Sequence, residues 1–284
     1  EIITPGAVLD QSFLEGNANV FLASLYYNDP QRKIGLAHLD ISTGDFLFTE
    51  LDKEELINEL QRFRAAELIV DSSQAEEFVK SLPLETLPAI TVFDSWQFQP
   101  QEAIATLKKH FGVTTLEPYG AHNKLLGATA AGAALAYVQG LYTSPLNHIS
   151  SLRYYSLSQY MQLDEISRRN LELVRSLRYG TKYGSLLSVI DQTITPMGSR
   201  LLQQWLLHPL LDIKEITFRQ DIIQSFIDKS SYLKELRLIL KEIGDITRLV
   251  TRLGSLRINP RELIALKSYL YSAGNLQNKL NTFE

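Results

Sequence analysis

Residues 191–212 read DQTITPMGSRLLQQWLLHPLLD, and they spell a helix with both ends marked. Thr195 suits the N-cap, and Pro196 suits the first helical position, where no backbone N–H is needed. Leu201, Leu202, Trp205 and Leu206 recur at helical spacing, and Pro209 stops the run. Arg200 sits inside the apolar stripe and therefore calls for a buried ion pair. Trp205 reads as a core anchor rather than a base-stacking platform, and its indole N–H needs a partner if buried. Nothing in the stretch is a nucleophile or a metal ligand. Its punctuation points to a structural element.

Moving outward toward the C-terminus, the chain is helical from Met161 on. Residues 164–175 carry Ile166, Leu171 and Val174 among charges. Asp212-x-x-Glu215 is a capping-box pattern, followed by Ile216, Ile223, Phe226 and Ile227. A helix is expected over 232–243, near Gly244. Asp245 can cap another over 246–253, near Gly254. Asn259-Pro260-Arg261-Glu262 supplies an N-cap, an N1 proline and an N3 glutamate for a last helix reaching about Tyr271. These helices are polar on one face and are expected to pack on elements outside this stretch.

The first half has a different period. Strands are expected over 19–27, 33–41 and 46–51, joined by turns at Asn28-Asp29-Pro30 and Ser42-Thr43-Gly44-Asp45. Then come a helix over 54–63, a buried strand over 67–71, a helix over 74–80, a strand over 89–93 and a helix over 101–110. This β-β-β-α-β-α-β-α order is that of an RNase H-like sheet flanked by helices. Residues 125–142 (LLGATAAGAALAYVQGLY) carry no charge. Their length meets the threshold for a membrane span, but Ala, Gly, Thr and Gln make them only mildly apolar. They read as a buried helix whose Gly127, Ala131, Gly132 and Ala136 let neighbours approach closely. A linker over 143–150 then divides an α/β domain, 1–142, from an all-α region, 151–284, with 143–148 as a hinge.

Composition narrows the function classes. The 284 residues include no cysteine, which excludes disulfides, cysteine catalysis and thiolate zinc and fits a reducing cytoplasm. There is no initiator methionine and no leader pattern, and the first residues read as a strand entering a turn, as expected for a piece of a longer protein. The net charge of −4 divides into −10 over residues 1–150 and +6 over 151–284. Phosphates repel the first half, whereas the second half is suited either to lie near DNA or to present a solvated basic surface.

Three stretches resemble the MutS family of DNA mismatch-repair proteins. Residues 163–173, LDEISRRNLEL, carry Arg168, Arg169 and Asn170 of the motif that opens the family's core, or lever, domain. Residues 185–210 carry its SLL, D-x-T-x-T-x-MG-x-R and WL-x-x-PL elements, with Gly198, Arg200, Trp205 and Pro209. Residues 212–221 follow with Arg219. The first half is similar to the family's connector domain, through ITPG at 3–6, LDISTG at 39–44, AELIV at 66–70 and the small-residue helix.

The resemblance implies a connector joined to the first part of the core of a dimeric, cytoplasmic bacterial ATPase, nucleoid-associated when it acts on DNA. That ATPase recognises mispaired double-stranded DNA and recruits MutL. A mismatch-reading domain with a Phe-x-Glu wedge is expected before residue 1, and a DNA clamp after residue 284. Phe13-Leu14-Glu15 and Phe48-Thr49-Glu50 match the wedge pattern by coincidence. No G-x-x-x-x-G-K-[ST] loop occurs, so ATP and Mg belong to the parent protein and no cofactor, metal or catalysis is expected here. The role implied is to couple the DNA-gripping regions to the ATPase and to offer a docking surface for MutL. The helix over 101–110, through Glu102, Ala105, Thr106 and Lys109, is the expected part of that surface. The stretch alone is expected to be monomeric.

Two other readings compete. Asp40, Asp71 and Asp94 each fall near a strand end, where RNase H-like nucleases place carboxylates for two divalent metals; such positions also suit turn caps. A general protein-interaction scaffold is the second. The five histidines (His38, His110, His122, His148 and His208) have no ligand-spaced partners and read as core or surface residues. Arg168 or Arg169 is expected to pair with Glu165 or Glu172, phosphate contact being the alternative.

Overall fold

The computed structural model describes residues 4–8, 18–27, 33–75 and 87–282. It divides into two compact units, Glu1–Leu157 and Ser158–Glu284.

The first unit is built on a mixed sheet of β1 (Phe21–Tyr27), β2 (Lys33–Asp40), β3 (Asp45–Asp52), β4 (Ala65–Asp71), β5 (Ala89–Phe93) and β6 (Arg153–Tyr154). Its spatial order is β5-β4-β1-β2-β3-β6. The first three strands form the expected antiparallel meander, with Leu25 opposite Leu36 and Ala37 opposite Phe48. β4 joins β1 in parallel, and β5 joins β4 in parallel. This is the expected RNase H-like order with one added strand. β2 is buried from Ile34 to Asp40 because both faces are covered. One face packs on α1 (Leu56–Phe63) through Leu36, Leu60 and Leu68. The other packs on α2 (Pro100–Phe111) and α3 (Leu125–Leu141) through Leu39, Phe48, Leu107 and Leu135. The turn at 28–30, most of the helix over 74–80 and residues 13–15 lie outside the described residues.

α3 is buried on nearly every side, as its lack of charge requires. At Gly132 the two helices approach closely: a Cβ there would stand 2.3 Å from the Ala103 carbonyl oxygen of α2. Gly127 meets β3 in the same way, at 2.7 Å from the Thr49 carbonyl oxygen. The Phe48-Thr49-Glu50 match is absorbed by this packing. Phe48 and Thr49 are buried in β3, and Glu50 Oε1 accepts the Leu126 N–H at 2.9 Å at the start of α3. Among the described residues no helix is long and apolar enough to cross a membrane.

The expected linker over 143–150 belongs to the first unit. Leu146, Ile149 and Leu152 are buried in its core, and β6 then pairs in parallel with β3. The division therefore falls after Leu157. Residues whose side chains are this well packed do not make a free hinge. His148 lies in this stretch and donates from Nε2 to the Ile41 carbonyl at 3.0 Å, while His110 Nε2 donates to the Ile149 carbonyl at 2.7 Å. Burial, opposed by the hydrogen bond to the Ile41 carbonyl and aided by the nearby His110 charge, pushes His148 down to about 4. The unfolded chain takes up this proton first, so His148's contribution is complete above about pH 6.5 and is lost as pH falls toward 4. Urea unfolding of the first unit is expected to weaken by about 3 kcal/mol more between pH 7 and 4 than in His148→Gln. Equal pH profiles for the two proteins would contradict this.

The second unit is helical: α4 (Glu165–Asn170), α5 (Leu186–Ile190), α6 (Pro196–Leu207), α7 (Ile213–Asp228), α8 (Ser230–Leu240), α9 (Ile246–Gly254) and α10 (Pro260–Asn281). The helical periodicity over 164–175 is interrupted. α4 ends at Asn170, and Glu172 adopts a left-handed backbone, φ 48°, which a continuing helix forbids. The Asn259–Glu262 capping box is complete, and α10 runs ten residues beyond the expected end at Tyr271. Asp212 caps α7 through the Lys214 and Glu215 N–H groups.

Candidate functional site

α6 begins as its sequence requires. Thr195 Oγ1 accepts the Gly198 N–H at 3.1 Å, and Pro196 occupies the first turn. At its far end the chain leaves through Pro209, whose carbonyl accepts the Met161 N–H at 2.8 Å. Tyr160 and Leu210 form an antiparallel bridge beside it. The stretch 191–212 is thus fixed at both ends. Asp191 adds a third tie, accepting from Lys182 Nζ at 2.5 Å and from Ser199 Oγ at 2.8 Å. Burial acts to raise its carboxyl, but these donors together with Thr193 hold it well below the ordinary range.

The partner of Arg200 is Asp245. Nη1 and Nη2 donate to the two carboxylate oxygens at 2.7 and 2.8 Å, a forked pair linking α6 to the start of α9. Both side chains are largely buried, 6% and 14% exposed. Asp245 also accepts the Arg248 N–H at 3.3 Å, capping α9, and Arg248 Nε lies 3.8 Å away. One carboxylate therefore serves as cap and counter-ion together. Burial raises its carboxyl, but the Arg200 bonds and charge, aided by Arg248, bring it below its usual value. A bidentate arginine fixes direction as well as distance, so the two helices meet at a defined angle.

Other signature residues divide by role. Arg168 is buried and donates from Nη1 to the Leu163 carbonyl at 2.9 Å. The Glu172 carboxylate accepts the Leu177 N–H. Arg169 and Asn170 are exposed. Trp205 is not the expected core anchor: it is 41% exposed, and the Arg219 guanidinium lies 3.7 Å over its ring. A cation from α7, rather than apolar neighbours, covers that indole face. α7 itself buries no residue fully and leaves Phe218 and Ile223 open.

The candidate nuclease carboxylates do not converge. Asp40 lies beyond the Leu39–Leu22 pair, toward the start of β1, whereas Asp71 lies beyond the Ile69–Ser24 pair, toward the other end. Asp40 is spent on the Ser42 N–H and hydroxyl, at 2.8 and 2.7 Å, and on Asn19 at 2.9 Å. Burial, with the Asp45 charge, raises its pKa. Asp71 accepts from Ser73 and Ser95, and exposed Asp94 occupies the N-cap position of the short helical turn Ser95–Phe98 without a side-chain cap bond. Each is a turn or cap residue. No group of three or more potential metal ligands occurs among the described residues. His38 is buried in an aromatic cluster, its ring stacked on Phe63 at 4.0 Å. On α2, Glu102, Ala105 and Lys109 are exposed and Thr106 is half-buried, so that face is open in the first unit.

A model of MutS domain II matches residues 19–150, and one of MutS domain III matches 166–284. The chain belongs to the MutS family. Similar relatives carry the name DNA mismatch repair protein MutS. The protein of Symbiobacterium thermophilum is 36% identical over 97% of this chain and 32% of its own length. Those of Protochlamydia amoebophila and Thermosynechococcus vestitus are 38% and 39% identical, over 93% and 94% of this chain and 31% and 32% of theirs. The chain spans about a third of the length of these curated relatives. The MutS domains correspond to the two compact units, and the signature stretch 191–212 lies inside domain III.

Proposed function

We propose that this chain is the connector and first part of the core of a DNA mismatch repair protein, and that its work is mechanical. The parent would be a dimeric cytoplasmic ATPase that recognises mispaired duplex. This section would pass the state of the DNA-gripping regions to the ATPase without chemistry of its own. Coupling of this kind needs rigid elements with defined relative arrangements. The observation that carries the reading is the Arg200–Asp245 fork, which fixes α6 against the capped end of α9. Arg200 and Arg219 tie α6 to α9 and α7, as a lever requires.

The open face of α2 is the proposed contact for MutL. Titration of the chain with the ATPase region of MutL is expected to show binding, and Ala105→Arg is expected to weaken it roughly tenfold, about 1.4 kcal/mol. A general interaction scaffold has no reason to bind MutL, and equal binding by the variant would move the contact elsewhere. The pure chain is expected neither to turn over ATP nor to prefer mismatched over matched duplex. Measurable turnover would overturn the assignment.

A further inference from the structure

Between α4 and α5 the chain makes a loop that is firmly built and yet displays its largest side chains. At its base the Leu186 and Leu187 N–H groups donate to the Glu172 and Leu173 carbonyls, both at 2.9 Å. At its tip the Ser176 N–H donates to the Thr181 carbonyl and the Gly180 N–H to the Ser176 carbonyl, again at 2.9 Å. Arg175 Nη1 adds a bond to the Gly180 carbonyl at 3.3 Å. Ser176 and Ser185 are buried. The backbone is thus held from within.

The side chains point the other way in character. Tyr179 is 52% exposed and Tyr183 is 74% exposed, with ring centroids 5.6 Å apart and planes tilted by 56°. The Arg178 guanidinium lies 5.2 Å from the Tyr179 ring. No acidic residue occurs from 173 to 190, whereas Arg175, Arg178 and Lys182 do. Lys182 is engaged by Asp191, which leaves Arg178 as the cation beside the rings.

We infer that the loop around Tyr179, Tyr183 and Arg178 is a contact for single-stranded DNA, with an unpaired base stacked on a tyrosine and a phosphate held by Arg178. Two exposed rings beside a guanidinium match the stacking-plus-cation pattern by which proteins hold single strands. Duplex hides its base faces and leaves the rings nothing to stack on. An acidic peptide would use the cation but not the rings. The inference rests on the mismatch-repair reading only in naming DNA as the nucleic acid.

The test is fluorescence anisotropy of the whole chain with a labelled single-stranded oligothymidylate of about 20 nucleotides. Tyr179→Ala with Tyr183→Ala is expected to weaken binding about tenfold or more. The same two positions changed to Phe are expected to bind within about twofold of the parent, since the ring and not the hydroxyl carries the contact. Arg178→Gln is expected to lower the slope of log affinity against log salt by about 0.7, the share of one single-strand phosphate. Parent-like affinity in the alanine pair, equal loss in the phenylalanine pair, or equal competition by a polyglutamate peptide would each overturn the site. None of these side chains lies on α2, so unchanged MutL titration separates failure here from failure of the coupling reading.

Discussion

Arg200→Met is expected to destabilise the helical unit by about 3–5 kcal/mol. The substitution leaves the Asp245 carboxylate buried with only the Arg248 contacts, and an uncompensated charge costs more than the pair itself contributed. Urea unfolding followed by Trp205 fluorescence reads this unit, because the other tryptophan, Trp96, is in the first. The effect has a pH signature. The carboxyl of Asp245 is depressed in the folded state, so its contribution is present above the ordinary carboxylate range, near pH 4, and is lost as pH falls through the lower folded value. Arg200→Met is therefore expected to approach the parent in stability in strong acid. A cost below about 1 kcal/mol at pH 7 would place the pair among surface ion pairs.

Gly132→Leu is the second large effect. The added Cβ alone would stand 2.3 Å from a backbone carbonyl of α2, and a backbone cannot swing aside as a side chain does. Separation of α2 from α3 is expected to cost about 3 kcal/mol or more, at the upper end of overpacking in a core. The loss is expected in the first unit, read by Trp96 in the turn preceding α2, with the helical unit unchanged. Because α2 carries the proposed MutL contact, MutL affinity is expected to fall with it. Parent-like stability would mean that the helices part easily.

Local signals made most elements legible. Thr195-Pro196, Asp245 and Asn259-Pro260-Arg261-Glu262 mark helix starts through contacts within a few residues, and all three caps form as read. The meander and the parallel β4 and β5 follow from alternation and turn chemistry. The role of Arg200 was half legible: a cation in an apolar stripe demands a partner, but the partner lies 45 residues away and its own sequence shows only a cap. A cap followed at the third position by Arg248 was the available hint. Residues 143–150 misled because Thr, Ser, Pro and Asn read as a linker, while Leu146 and Ile149 reach the core through long-range packing. Trp205 misled in the opposite direction, since periodicity gives a stripe but not what covers it.

We propose that the Arg200–Asp245 joint transmits between the DNA-gripping regions and the ATPase of the parent protein. It is tested most directly in the full-length parent protein with Arg200→Lys, which keeps the charge and removes the fork. Mismatch affinity and DNA-free ATP turnover are measured beside the change in turnover that mismatched duplex causes. The first two are expected to remain near parent values while the mismatch-dependent change falls several-fold. A mismatch response equal to the parent's, with the fork removed and the protein folded, would contradict it.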